Sequence, residues 1–486
     1  MQSQYSVTVN RDCKLILNTA TNIKQPKTNK MKKILIIFFV ILMTQTAFTQ
    51  KYQSNWESID SRPVPQWFED VKFGIFIHWG VYAVPAWAPA NADIGIYAKY
   101  AEWYWWRINE DSNAGKLFRE YHNKMYGENF RYQDFAPKFK AQHWDPAQWA
   151  DIFKRAGAKY VVLTSKHHEG FTLWPSEQSW NWNSVDIGPH RDICGDLSTA
   201  VKDAGLHMGF YYSLYEWYNP LYHNNLEKYV DDHMIPQMKD LVTSYEPDIL
   251  WTDGEWDHPS EKWKSTEFLA WLYNESPVKD RVCVNDRWGK ETRGHHGGYY
   301  TTEYDLVHEG EGGEIEKAWE ECRGIGTSFG YNQIEDLGNY MTSKALIHLL
   351  IEKVAGGGNL LLDVGPTADG RIPVIQQQRL LDIGAWLDIN GEAIYETRRW
   401  EGAKNNKLEN IYFTQKGKDL YVHCTAFPIA PVVVKGVKAS KVSMLGYGGK
   451  VKHNKSGNTV KITAPKLSPV TNPNEHAWVF KIENAL

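Results

Sequence analysis

The run DPAQWADIFKRAGAKYVVLT, residues 145–164, carries a complete helix-to-strand unit. Asp145 stands where a helix N-cap belongs, and Pro146 takes the first helical position, where a missing N–H costs nothing. A helical pattern runs from there to Gly157, which closes it, and Lys159-Tyr160-Val161-Val162-Leu163-Thr164 then reads as a strand. The link between the two is only two or three residues, as compact α/β units prefer.

The unit recurs on either side. Asp196 to Ala204 closes at Gly205 before His207-Met208-Gly209-Phe210-Tyr211-Tyr212, and a helical segment ending at Tyr245 meets Pro247 before Asp248-Ile249-Leu250-Trp251-Thr252. Further strands are expected at Phe73 to His78, Val282 to Asn285, Tyr299 to Glu303 and Leu360 to Val364, the last after a helix at Lys344 to Ala355. About eight strands over roughly 330 residues, with no Gly-rich dinucleotide loop, predict an α/β fold of the (β/α)8-like TIM barrel type rather than a doubly wound sheet. Past Trp400 the helical period disappears. Leu420 to Cys424, Val432 to Val434 and Val460 to Ile462 alternate between turn residues and predict a C-terminal all-β sandwich domain. The expected division is a barrel over 51–396 and the sandwich over 397–486.

Ahead of the barrel, Met31-Lys32-Lys33, the apolar stretch Ile34 to Met43 and the small residues up to Gln50 read as a signal peptide over 31–50. Residues 1–30 then form an upstream extension outside the mature protein. The apolar stretch is about half of the roughly 20 residues a spanning helix needs, so an exported protein, periplasmic or extracellular, is expected, with no membrane span. Cys13 lies upstream of that segment. Cys194, Cys283, Cys322 and Cys424 fit no zinc spacing and are expected as buried free thiols.

The 486 residues are 42% hydrophobic, and 54 basic against 58 acidic side chains leave a net charge of −4 without a basic face, which argues against nucleic acid as a partner. The 22 Trp and 27 Tyr supply core volume and flat apolar faces of the kind that meet sugar rings.

Barrel enzymes place catalytic groups where strands run into the following loops. Those ends read His78-Trp79-Gly80, Lys166-His167-His168-Glu169-Gly170, Tyr211-Tyr212, Thr252-Asp253-Gly254-Glu255, Asn285-Asp286-Arg287-Trp288 and Thr301-Thr302-Glu303-Tyr304. Glycosidic cleavage needs two carboxylates facing each other, about 5–5.5 Å apart for retention and about 6.5–9.5 Å for inversion. Asp253 and Glu303 lie on different strands and could face each other across the mouth. Each candidate also has a plainer reading. Asp253 alone could cap the next helix. Adjacent strand residues point to opposite faces, so only one of His167 and His168 enters the barrel unless the strand has already ended. No HxH or ExxH pattern accompanies them, so no metal site is expected. His295-His296, in a Gly-bounded loop, reads as solvent-exposed. Glu255 is either a third site carboxylate or the partner of a rim Arg or Lys, and Glu309 to Glu316 reads as an acidic loop.

Beyond these patterns, Lys72-Phe73-Gly74-Ile75-Phe76-Ile77-His78-Trp79-Gly80, Ala101-Glu102-Trp103-Tyr104, Lys166-His167-His168-Glu169-Gly170-Phe171, Trp251-Thr252-Asp253-Gly254-Glu255-Trp256, Val284-Asn285-Asp286-Arg287-Trp288-Gly289, Ser328-Phe329-Gly330-Tyr331-Asn332 and Gly357-Gly358-Asn359-Leu360-Leu361-Leu362 closely resemble, in the same order, the α-L-fucosidases of glycoside hydrolase family 29. The resemblance runs from about Trp67 to Tyr395. It implies an exo-acting retaining hydrolase of terminal α-L-fucose that needs no cofactor and takes a fucosylated glycan as substrate. It assigns Asp253 as nucleophile and Glu303, in Thr302-Glu303-Tyr304, as acid/base, with Glu320 and Asp305 as alternatives. It places His78, Glu102, Trp103, His167, His168, Tyr211, Trp251 and Arg287 around the sugar. Imidazoles and a guanidinium can bond hydroxyls, Glu102 accepts from them, and Trp103 can cover the apolar face and the C6 methyl. The rivals are a transfucosidase, separable by product analysis at high acceptor concentration, a silent fucose-binding module, and a metal-dependent barrel hydrolase, which a chelator would inactivate.

Overall fold

The computed structural model describes residues 51–304, 317–438 and 440–486. The signal segment, the extension before it, Cys13, Asp305 and the acidic run up to Glu316 lie outside the described residues. Eight parallel strands build the first sheet: β1 (Phe73–Ile77), β2 (Tyr160–Lys166), β3 (His207–Ser213), β4 (Ile249–Asp253), β5 (Cys283–Val284), β6 (Tyr300–Glu303), β7 (Trp319–Gly324) and β8 (Asn359–Val364). Their order is β5-β4-β3-β2-β1-β8-β7-β6. The two ends of that order meet through Gly298 N–H to Asn285 O and Tyr299 N–H to Val284 O, each 3.1 Å, which closes the sheet into a barrel. Gly298 is required there, because a Cβ would stand 1.8 Å from the Val284 carbonyl oxygen.

The opening unit folds as its residues direct. The Asp145 carboxylate accepts from the N–H groups of Ala147 and Gln148 at 2.9 and 3.2 Å, and the helix Pro146–Arg155 follows. Gly157, at φ +84°, turns the chain into β2. The next helix begins earlier than the sequence pattern suggests, at Ile193, because Asp192 caps it through Gly195 N–H. The strand expected at Val282 to Asn285 is paired only over Cys283 and Val284.

The strand alternation sorts residues into two cores. Ile75, Ile77, Val161, Leu163, Phe210 and Leu362 face outward to the helices. Phe76, Tyr160, Val162, Tyr211, Trp251 and Leu361 fill the barrel interior. The next inward position at the top of each strand is polar, giving His78, Ser213, Asp253 and Asp363. The sequence pattern predicts no strand at β7, because Trp319-Glu320-Glu321-Cys322-Arg323-Gly324 carries three charges where an apolar run is expected, yet Glu320 and Glu321 are both fully buried.

After the barrel, β13 (Lys441–Met444), β16 (Trp478–Glu483), β11 (Asp419–Cys424), β10 (Ile411–Lys416) and β9 (Arg398–Arg399) form one antiparallel sheet. β12 (Val432–Lys435), β15 (Thr459–Thr463) and β14 (Lys452–Ser456) form a second. Phe413, Val422, Val434, Ile462 and Phe480 pack between them, so the C-terminal unit is a sandwich. It docks on the helices Ser343–Ala355 and Val374–Asn390. Trp386 Nε1 donates to Ala477 O at 3.0 Å, Asn390 Nδ2 to Asn474 Oδ1 at 2.7 Å, and His348 Nε2 lies 2.9 Å from His476 O. The four cysteines are free and buried. Among the described residues no helix is long and apolar enough to cross a membrane.

Candidate active site

Asp253 is the last residue of β4, and Gly254 turns the chain immediately after it at φ +75°. A Cβ on Gly254 would stand 2.7 Å from Tyr215 Cβ and 3.0 Å from Tyr215 N, so this turn admits only glycine. Behind the nucleophile candidate, Thr252 Oγ1 donates to Arg287 O at 2.7 Å and Asn285 Nδ2 donates to Thr252 O at 2.7 Å. These bonds set where Arg287 leaves the backbone.

Arg287 is fully buried and uses all three guanidinium nitrogens. Nε donates to Thr301 Oγ1 at 3.0 Å, Nη1 to Asp253 Oδ1 at 2.8 Å, and Nη2 to Glu303 Oε2 at 3.4 Å. Its plane lies over the Trp251 ring, 4.4 Å from the centroid, a cation–π contact. One guanidinium therefore holds the two carboxylates that the sequence places on different strands. The second oxygen of Asp253 accepts from Tyr211 OH at 3.0 Å and lies 3.8 Å from His168 Nε2. Burial pushes the Asp253 pKa up, but the charges of Arg287 and Arg293 overcome it and hold the carboxyl well below the usual carboxylate range. Glu303 ends β6, and its other oxygen accepts from Tyr100 OH at 3.1 Å.

Three imidazoles face the same space, and two of them, His78 and His168, are hydrogen-bonded from behind. His78 Nδ1 is 2.7 Å from Asp363 Oδ1, and His167 Nδ1 is 3.5 Å from Glu169 Oε2. His168 Nδ1 is 2.6 Å from Ser213 Oγ, which donates its own proton to Tyr215 O at 2.7 Å. The Ser213 oxygen must then accept from His168 Nδ1–H, which leaves His168 Nε2 as an acceptor. Burial, followed by the neighbouring His167, holds both His78 and His168 below the ordinary imidazole pKa, so both are neutral near pH 7. His167 and His168 both reach the cavity because β2 has ended at Lys166. Glu102, also buried, accepts from Gly330 N–H at 2.8 Å and Ser328 Oγ at 3.2 Å, so the motifs around Glu102 and Phe329 lock together. Trp103 stands edge-on to His168 with ring centroids 5.2 Å apart.

All ten candidate residues line one cavity of about 800 Å³ at the barrel mouth: Asp253, Glu303, His78, Glu102, Trp103, His167, His168, Tyr211, Trp251 and Arg287. Glu320 is not on its wall. It sits inside the barrel, accepting from Tyr160 OH at 2.6 Å and Trp251 Nε1 at 2.9 Å. Glu255 pairs with Arg293, Nε to Oε1 at 2.5 Å, beside Asp253. His295 is exposed at the cavity rim, whereas His296 is fastened, stacked on Trp56 at 4.8 Å and 2.7 Å from Asp60 Oδ2. Sequence reasoning missed Arg293 and Tyr100 as site residues. Both come from irregular segments where no strand or helix period marks an inward position. Among the described residues no three His, Cys, Asp or Glu side chains converge as metal ligands would.

Paired carboxylates at the C-terminal mouth of a parallel barrel, above a pocket of hydrogen-bonding groups and aromatic walls, are the apparatus of glycosidic bond cleavage, and fold and site together define a barrel glycoside hydrolase. Residues 39–392 match the family model described as alpha-L-fucosidase, and residues 404–483 match that of the alpha-L-fucosidase C-terminal domain. The chain belongs to the α-L-fucosidase family. It is 44% identical over 477 positions to the alpha-L-fucosidase of Dictyostelium discoideum, covering 93% of this chain and 99% of that protein. It is 42% identical over 448 positions to the tissue alpha-L-fucosidase of Homo sapiens, covering 89% and 92% respectively. The Thermotoga maritima alpha-fucosidase solved in complex with fucose superposes with a TM-score of 0.74 at 38% identity, over 90% of this chain and all of that one.

Proposed function

We propose that this chain is an exo-acting retaining α-L-fucosidase that hydrolyses terminal α-L-fucose from oligosaccharides or glycoconjugates. The single observation that carries the reading is Arg287, whose guanidinium holds Asp253 and Glu303 at one cavity beside three imidazoles. Asp253, ionised by its cationic neighbours, attacks the anomeric carbon while Glu303 gives a proton to the departing glycosidic oxygen. In the second step Glu303 takes a proton from water, the water oxygen bonds to the anomeric carbon, and the ester to Asp253 breaks. His168 Nε2 and Glu102 accept from sugar hydroxyls, Arg287 donates to them, and Trp103 covers the apolar face that carries the C6 methyl.

The test uses an aryl α-L-fucoside with Asp253→Ala and Glu303→Ala, with and without azide. Asp253→Ala is expected to lose turnover by about 1,000-fold or more and to regain it with azide, giving the azide of inverted configuration. Glu303→Ala is expected to retain turnover only with good leaving groups and to yield the azide of retained configuration. Full activity in either variant sinks that assignment. By the same reading, segment 31–50 exports the chain to the periplasm or beyond the cell. Fractionation of the producing cells, with sequencing of the mature N-terminus, tests this, and an uncleaved cytoplasmic protein would overturn it.

A further inference from the structure

A second guanidinium reaches the nucleophile candidate. Arg293 Nη2 lies 3.4 Å from Asp253 Oδ1, the oxygen that Arg287 already holds at 2.8 Å. Arg293 does not arrive there on a loose loop. Thr292 Oγ1 donates to Asp286 O at 2.6 Å, Gly294 N–H to Asp286 Oδ2 at 2.9 Å, and Gly297 N–H to Asp60 Oδ1 at 2.9 Å. Its Nε donates to Glu255, a carboxylate only 1% exposed and two residues past Asp253 in the turn that follows β4. Burial pushes the Glu255 carboxyl pKa up and the Arg293 charge opposes that rise; the contact between Nε and Oε1 makes the two an ion pair on the cavity wall, with Glu255 buried and Arg293 partly so.

We propose that Arg293 is a catalytic residue for the second half of the reaction, receiving negative charge on Asp253 as the glycosyl-enzyme ester breaks, and that Glu255 is the residue that positions it. The inference rests on the two-step reading above. In the first step Asp253 surrenders its charge to form the ester, and a cation on Oδ1 gives that attack no help. In the second step the water oxygen bonds to the anomeric carbon, its proton passes to Glu303, and the bond from carbon to Asp253 breaks with its electron pair returning to the carboxylate. A fixed guanidinium beside that carboxylate stabilises the charge as it develops, without reorganisation at the moment of reaction. Arg293 therefore makes Asp253 a better leaving group at some expense to its nucleophilicity.

The two steps separate in steady-state kinetics, because kcat/KM reports the first and kcat the slower of the two. With an activated aryl α-L-fucoside, Arg293→Met is expected to lower kcat about 10-fold while kcat/KM stays within about two-fold, so KM falls with kcat. A burst of aryl alcohol equal to the enzyme concentration, and intact protein carrying one fucosyl group by mass spectrometry, should accompany it. Arg293→Lys restores the charge and should recover part of kcat. Glu255→Gln keeps the shape of the pair and removes its charge, and it should move kcat in the same direction by less. This variant carries the test if Arg293→Met does not fold. An unchanged kcat, or kcat and kcat/KM falling together without a burst, overturns the assignment. Absence of fucose release by the unsubstituted chain overturns the fucosidase reading instead, so the two failures are distinct.

Discussion

Arg287 takes three different acceptors with three nitrogens, and that division explains why a point charge cannot replace it. A guanidinium is planar, and its fork carries one carboxylate on each terminal nitrogen while Nε anchors on Thr301, itself bonded to Asp286 at 2.7 Å. Lysine would bring the charge without the fork. Arg287→Lys is expected to reduce kcat/KM by about 100-fold or more, measured with an aryl fucoside under conditions where circular dichroism shows the fold intact. A loss of less than about five-fold would show that charge alone suffices. The residue types at this site were legible in the sequence because they stand at strand ends, where a barrel displays its chemistry. The bond that unites them was not. Nothing in the spacing of residues 253, 287 and 303 says that one side chain touches the other two.

β7 shows how an element escapes a sequence pattern and what that exception does. Its inward residue Glu320 is fully buried beneath Trp251, the ring on which Arg287 rests. Burial raises the Glu320 carboxyl pKa from 4.5 to about 7, against the opposing hydrogen bonds from Tyr160 and Trp251 and the charge of Arg287. The folded state thus binds this proton more tightly than the unfolded chain. Its contribution to stability is complete below about pH 4.5 and is lost as pH rises through about 7, a difference on the order of 3 kcal/mol for a group of this burial. Glu320→Gln mimics the protonated acid, with its amide donating to the Tyr160 oxygen and its carbonyl accepting from Trp251. Urea unfolding of both proteins at pH 5 and pH 8 is expected to show the parent losing stability relative to the variant as pH rises. Parallel profiles would place the titration elsewhere. A strand pattern built on apolar residues cannot find such an element, because its burial is provided by neighbouring strands.

For the whole molecule, among the described residues the sandwich supplies no side chain to the cavity, whose lining runs from Phe76 to Phe329. It covers the barrel helix that carries Trp386 and Asn390. Trp386, 4% exposed, is expected to cost about 3–5 kcal/mol when truncated to alanine, through the cavity left and the lost bond to Ala477. Thermal unfolding should register this, with kcat/KM per folded molecule unchanged. A matching loss of kcat/KM would mean that the sandwich shapes the site. The sequence by itself determined the alternation of helices and strands, the sandwich that follows, and the strand-end residues that face the mouth. These are local matters of period, caps and turn residues. Only the tertiary structure decided that His167 and His168 both face the cavity, that Glu320 lies inside the barrel while Glu303 lines its mouth, and that Arg293 reaches Asp253. The reason is physical: these placements depend on where a strand ends and on how strands and loops distant in the chain meet once β5 and β6 close the barrel through Gly298, and residue spacing records neither.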